Sequence, residues 1–427
     1  MLPALLGLAG GRAARFSALP RLRRRAQRVA HRAVSDPEAG AGGAWTRFVV
    51  RFRVPLLLVG AAVLIVAALP ILSMNLGLPT AATQPKDTTS RQAYELTSTS
   101  FGVGFNGPLL ITAEGVSRPE QVAPLVDAVN RLDDVQLANL ATIKNEIAVI
   151  NVIPRSGPDS DQTKALVTAI RDDRSTLERL GNSDSVLVGG LTASNIDVSK
   201  KVGDATPLFL LVIAVIAFVL LTFAFRTILV PLKSIVGFLL SIGTAMGILV
   251  AVFQWGWGEG FIGVTSGPII SFIPVLMLAI IFGLSADYEL FVVSRIKERF
   301  AHTGDARGAV LRGTAQSARV VTAAALIMTT IFASFMLAPD PTLKAVGFSF
   351  ALGVLIDAFV IRLTLVPAFM AIAGAKIWYH PKWFARYVPD PDIEGEKIRH
   401  AHPDAQDALA SGPILPGLGQ ARKEPLS

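Results

Sequence analysis

Asp287, Tyr288 and Glu289 interrupt an apolar run that begins near residue 268 and otherwise suits lipid. A charge near the centre of a bilayer costs from about 3 to more than 10 kcal/mol, so such groups face a bundle interior and carry protons or ions. Asp287 stands eight residues before Arg295, roughly 12 Å above the next charged layer along a helix. That depth is too great for easy snorkelling. A desolvated carboxylate moves toward its protonated form, whereas water or a cationic partner favours ionisation. Alternation between the two environments would bind and release a proton, so Asp287 is expected to be shielded from lipid by neighbouring helices. Tyr288 adds a hydroxyl that donates and accepts beside the acid, although a tyrosine standing alone is as often an interface residue. Helical spacing puts Asp287 on one face with Gly283, Phe291 and Ser294. Glu289 points to another side and is a secondary candidate.

Three more polar positions belong to the same reading. Asp357 and Arg362, five residues apart in the last apolar stretch, either neutralise one another or pair across helices, and structural pairing is favoured. The stretch 320–337 carries Thr322, Ala323, Ala324, Ala325, Thr329, Thr330 and Ser334. Small residues let helices approach closely, and the hydroxyls, Thr322 among them, would extend a polar relay or serve packing alone. Gly237, Gly243 and Gly247 also suit close packing. An intramembrane aspartyl protease needs two carboxylates sharing a site; Arg362 claims Asp357, so no enzymatic activity is expected.

The elements that position these residues follow from composition. The chain has 427 residues, is 52% hydrophobic and only 17% charged, below the roughly 25% charge of soluble domains. Apolar stretches near the 20-residue spanning length occur at 54–74, 207–225, 230–253, 268–292, 320–337 and 343–372. The expected fold is an α-helical polytopic bundle of about six spans with an α/β domain outside the membrane. The net charge of +8 does not indicate nucleic acid, because Arg and Lys gather in alternate connections, at 12–53, 295–319 and 376–386. Segment 254–267 has no Arg or Lys, and 75–206 carries more acids than bases. The positive-inside rule then puts both termini in the cytoplasm of a multi-pass cell (inner) membrane protein.

The absence of cysteine excludes disulfides and thiol chemistry, and the five histidines lack ligand spacing. No metal or other cofactor is expected. Five regions follow: 1–53, a basic cytoplasmic segment; 54–74, the first span; 75–205, the outer domain; 206–376, five further spans; and 377–427, a cytoplasmic tail, mostly disordered. Residues 37–43 read as a loop, and Trp45, Arg47, Arg51 and Arg53 as interfacial anchors. In the outer domain, strands are expected at 109–113, 135–142, 147–153 and 186–188, with helices at 119–132 and 159–180. That β-α-β-β-α-β order is the ferredoxin-like arrangement. A helix at 193–204 would connect this domain rigidly to the second span. An internal echo, Leu2-Pro-Ala-Leu-Leu-Gly-Leu-Ala-Gly10 against Val366-Pro-Ala-Phe-Met-Ala-Ile-Ala-Gly374, suggests that the chain begins with the last turns of a preceding span. Transporters are commonly built from such repeated bundles.

Several of these stretches carry a resemblance. Phe282-Gly-Leu-Ser-Ala-Asp-Tyr-Glu-Leu-Phe-Val-Val-Ser-Arg-Ile-Lys-Glu298 resembles the signature of MMPL proteins, members of the resistance-nodulation-division (RND) superfamily. Gly104–Leu110, Thr322–Leu326, Leu355–Pro367 and Asp392–Glu396 are similar to further family segments, so the resemblance covers nearly the whole chain. It implies a proton-motive-force-driven exporter of lipids or other hydrophobic molecules, with Asp287 and Tyr288 as the intramembrane proton relay and the outer domain as a porter-type module. It also implies about twelve spans in two halves, each with an Asp-Tyr pair and an outer subdomain, of which this chain holds one. A truncated frame, a split gene whose partner supplies the first half, and a half-size protein that pairs with itself all fit, as does a noncatalytic auxiliary that binds lipid or a partner.

Overall fold

The computed structural model describes residues 40–379. The Leu2–Gly10 echo, the basic residues before position 40, the basic residues of 376–386 beyond position 379, and the tail lie outside the described residues. Six helices are long and apolar enough to cross a membrane: Arg53–Ser73, Leu191–Phe225, Leu229–Gln254, Ile273–Thr303, Ala306–Leu337 and Pro341–Trp378, called here the first to sixth spans. The second, fourth, fifth and sixth exceed a bilayer's thickness at about 1.5 Å per residue, so parts of them extend beyond it.

Before the first span lies helix α1 (Ala41–Arg51). The expectation of a loop through residue 43 is corrected here. Two glycines do disfavour a helix on propensity alone, but they let α1 lie against the fifth span. A Cβ on Gly42 would sit only 3.1 Å from Ala318 Cβ and 3.4 Å from Ala315 O. Tertiary packing overrides the local preference. The third span approaches the first as closely: a Cβ on Gly247 would come within 2.2 Å of the Ala67 carbonyl oxygen.

Between the first and second spans, β1 (Leu76–Gly77) follows the end of the first span and pairs in parallel with β6 (Ile269–Ile270), just ahead of the fourth span. Helix α2 (Thr89–Phe101), not anticipated from the sequence, is capped by Thr88, whose hydroxyl accepts from Arg91 N. The remaining elements are β2 (Leu109–Glu114), α3 (Pro119–Asn130), β3 (Val135–Lys144), β4 (Ile147–Pro154), α4 (Asp161–Asp172), α5 (Arg174–Leu180) and β5 (Ser185–Gly189). The helix expected over 159–180 is thus two helices, broken at Asp173. The sheet order is β3-β4-β2-β5 and each neighbouring pair is antiparallel. Strand alternation explains its core: Leu109, Ile111 and Ala113 on β2 and Ala148, Ile150 and Val152 on β4 are fully buried with Val122, Leu125 and Val129 of α3 and Leu166 and Ile170 of α4. At about 1.5–3 kcal/mol for each large side chain, this core holds the domain without disulfides.

The second span begins two residues after β5, so one continuous helix carries the chain from the sheet into the bundle. Polar contacts reinforce this junction. Lys164 of α4 donates to Asn75 Oδ1, Gln254 Oε1 accepts from Asn75 N at 2.8 Å, and Gln254 Nε2 donates to Ser73 O at 2.6 Å. The Ser271 hydroxyl donates to Gly77 O at 2.8 Å and lies 2.7 Å from Ser199 Oγ, both serines buried.

Candidate functional site

The fourth span carries Asp287, Tyr288 and Glu289 in a regular helix. Successive residues turn about 100°, so positions two apart lie on nearly opposite faces. Ile281, Ser285, Glu289, Val292 and Ile296 form the buried stripe, whereas Leu276, Ile280, Gly283, Asp287, Leu290 and Phe291 form the exposed one. The expectation that neighbouring helices shield Asp287 is therefore corrected within this chain. Asp287 lies on an open face, and Glu289, the secondary candidate, is the acid at the centre of the bundle. The physical reason is the helical phase, set by the apolar residues around it. Ile281, Val292 and Ile296 are each at most 1% exposed and draw Ser285 and Glu289 inward with them.

Glu289 belongs to a cluster built from three spans. Its Oε1 accepts from Lys233 Nζ and, at 2.7 Å, from Ser234 Oγ, both on the third span. Its Oε2 lies 3.8 Å from Arg362 Nη1. Arg362 Nε donates to Asp357 Oδ2 at 2.8 Å, and its Nη2 donates to the hydroxyl and carbonyl oxygens of Ser285. The Ser285 hydroxyl in turn lies 3.2 Å from Asp357 Oδ1. The four ionic side chains are 3–6% exposed, and two cations balance two anions. Burying charges is tolerable only on such terms, with partners and hydrogen bonds for each.

Asp357 and Arg362 meet because of a local irregularity. In a regular α-helix a five-residue separation turns side chains about 140° apart. Residues Ile356–Leu365, however, form a π-helix, whose wider turn brings i and i+5 into line. The sixth span therefore departs from α geometry at the segment that holds the ion pair, and π-bulges recur at functional sites.

Tyr288 sits between the two faces, half-buried, with the Arg362 guanidinium 5.5 Å from its ring centroid. Its ring thus meets the buried cluster at Arg362, while its backbone directly follows Asp287. Thr322 is half-buried on the fifth span and forms no hydrogen bond among the described residues, so the structure does not bring it into the cluster. Sequence reading missed Lys233, Ser234 and Ser285. The signal for Lys233 was available, since it is the single charge in the apolar run 230–253. Among the described residues no group of His, Asp and Glu is placed to hold a metal ion.

Known proteins resemble this chain in sequence. The model of the MMPL family matches residues 111–390, covering the α/β sheet and five of the six spans. Membrane protein YdfJ of Bacillus subtilis is 40% identical over 83% of this chain and 49% of its own length. Heme uptake protein MmpL11 of Mycobacterium tuberculosis is 34% identical over 82% of this chain and 37% of its own length. The mycolic acid-containing lipids exporter MmpL11 of Mycolicibacterium smegmatis is 32% identical over 92% and 41%. The chain spans about half or less of the length of these curated relatives. With a family match over most of the chain and an acid, a tyrosine and an ion cluster set among six apolar helices, this multi-span membrane protein belongs to the MMPL family.

Proposed function

We propose that the chain is the C-terminal half of a proton-driven exporter of lipids or other hydrophobic molecules in the cell membrane, with Asp287 and Tyr288 as its proton relay. The observation that carries this reading is the open position of Asp287. A carboxylate midway along a spanning helix, on a stripe flanked by Ile280, Leu290 and Phe291, is costly against acyl chains. A second six-span bundle, from a partner half or a second copy, would cover the stripe and bring another Asp-Tyr pair to it. Asp287 would then gain and lose its proton in the cleft between bundles, while the charge-balanced cluster holds Tyr288 in place through Arg362.

The β-α-β-β-α-β order and the strand order β3-β4-β2-β5 support reading residues 75–205 as a ferredoxin-like porter-type domain outside the cytoplasm. Its continuous helix into the second span supports mechanical coupling to the spans within 206–376. Both termini, including the basic segment 1–53 and the tail 377–427, then lie on the cytoplasmic side. Substrate class follows from the relatives: lipid for the exporter of M. smegmatis, with heme, named for the M. tuberculosis protein, as the competing cargo.

Proteoliposomes holding the chain alone, or together with a second half, test the proposal. Translocation of a fluorescent lipid and of heme is followed with and without a protonophore. Lipid movement should require both the second bundle and the proton gradient, and Asp287→Asn should abolish it. Gradient-dependent movement that survives Asp287→Asn would eliminate the relay.

A further inference from the structure

Helix α1 has three stripes. At about 100° per residue, Gly42, Thr46 and Val49 turn toward the bundle, Trp45, Phe48 and Phe52 form a second stripe beside them, and Arg47 and Arg51 lie on the far flank. Thr46 and Val49 are fully buried, whereas the three aromatic rings are 46, 44 and 44% exposed. Those rings form one continuous surface, with centroids 5.7 Å apart for Trp45 and Phe48 and 5.1 Å for Phe48 and Phe52. The first span starts at Arg53 and ends at the α/β domain. Helix α1 therefore lies where the bundle leaves the membrane on the side away from that domain. An aromatic stripe at this level belongs among the upper acyl chains, with a neighbouring arginine stripe at the height of the phosphates. Among the described residues neither Arg47 nor Arg51 forms an ion pair, and no Asp or Glu occurs from Gly40 through Pro85.

We infer that α1 is a binding site for anionic phospholipid, with the headgroup held by Arg47 and Arg51 and the acyl chains against Trp45, Phe48 and Phe52. The occupant is a membrane lipid because the aromatic stripe needs an apolar phase that a free phosphate would not supply. The site also reaches the ion cluster: Trp45 Nε1 donates to Leu363 O at 3.1 Å, within the π-helix and one residue from Arg362. A lipid that fixes α1 at the membrane surface fixes that carbonyl contact as well.

The inference stands apart from the transport reading and is tested by binding alone. The full chain, with Trp45 kept and the other four tryptophans changed to Phe, is placed in nanodiscs containing brominated phosphatidylglycerol or brominated phosphatidylcholine at equal mole fraction. Phosphatidylglycerol should quench Trp45 more strongly. Arg47→Gln with Arg51→Gln should weaken that preference about 25-fold, about 5-fold for each arginine, and erase the excess quenching. Arg47→Lys with Arg51→Lys should keep it. Native mass spectrometry of the chain with all its tryptophans gives a second readout, in which the double Gln variant retains fewer phosphatidylglycerol molecules. Equal quenching by the two lipids, or an excess that survives the double Gln substitution, would overturn the site.

Discussion

Replacing Lys233 by Met should be far more damaging than replacing Lys233 and Glu289 together. In the native cluster Glu289 faces Lys233, Ser234 and, at 3.8 Å, Arg362. Without the lysine the cluster carries a net charge of −1, and Glu289 keeps only the more distant guanidinium. Two unit charges near 4 Å interact by about 4 kcal/mol at an effective dielectric of 20. Removing one partner of a buried pair accordingly costs about 3–5 kcal/mol. Glu289→Met alone leaves Lys233 uncompensated and should cost a similar amount, although Ser234 keeps its bond to the Val230 carbonyl at 2.8 Å. The double variant returns the cluster to neutrality, with Arg362 and Asp357 still paired, and methionine fills comparable volume. It should lie within about 2 kcal/mol of the parent, since replacing a whole buried pair by apolar groups is often neutral. The coupling energy is then about 3 kcal/mol or more. Reversible unfolding by SDS in mixed micelles measures all four proteins, and additivity within about 0.5 kcal/mol, the behaviour of independent sites, would refute the network.

Tyr288→Phe keeps the ring beneath Arg362 but removes the hydroxyl, so unfolding should change by less than about 0.5 kcal/mol while gradient-driven transport falls; retained transport would exclude the hydroxyl from the relay. Gly247→Ala puts a Cβ against the Ala67 carbonyl and should cost about 1–3 kcal/mol through separation of the first and third spans, measured by the same SDS titration. At the edge of the α/β domain, burial holds the Asp159 carboxyl above its usual range, against opposing contributions from Thr80 and Lys164. Its folded form binds the proton more tightly than the unfolded one, so this residue's contribution is fully present below about pH 4 and lost as pH rises through the raised value. Asp159→Asn should remove that loss, and amide exchange of the full chain near Thr80 between pH 4 and 7 should slow relative to the parent. Trp45→Phe deletes the bond to Leu363 O and should cost about 1 kcal/mol, with faster exchange confined to α1 and the π-helical segment.

Much of the architecture was legible because its signals are local. Six apolar stretches became six spanning helices, and period-two alternation placed β2 to β5 within a few residues of their bounds. What escaped depended on packing or helical phase. α1 forms across Gly42 and Gly43 because Ala315 and Ala318 lie against it, a contact across more than 270 residues of chain. The Asp357–Arg362 pair was anticipated, but not the π-helix that aligns it. The largest error concerned Asp287. Reading it as the buried acid assumed that an intramembrane charge must face the interior of its own bundle. The apolar positions Ile281, Val292 and Ile296 already pointed the other way, since they share a stripe with Glu289 and lie opposite Asp287.

That division of labour between the two acids bears on the proposed mechanism. A group that cycles a proton needs an environment that changes, because a fixed environment gives a fixed affinity. Glu289 and Asp357 are locked between two cations and two serines contributed by three spans. Protonating either would leave a buried cation without its counter-charge, at about the same 3–5 kcal/mol. Asp287 has no such lock. Its surroundings are set by whatever covers the stripe from Gly283 to Phe291, so motion of a second bundle would change its solvation directly, while Tyr288 keeps its ring on Arg362. On this reading the cluster is the rigid reference and Asp287 the moving part, and their order of sensitivity follows. Glu289→Gln should lower stability first and transport only through it, whereas Asp287→Asn should abolish transport with unfolding unchanged. The reverse order, a stable Glu289→Gln without transport beside a transport-competent Asp287→Asn, would exchange the two roles.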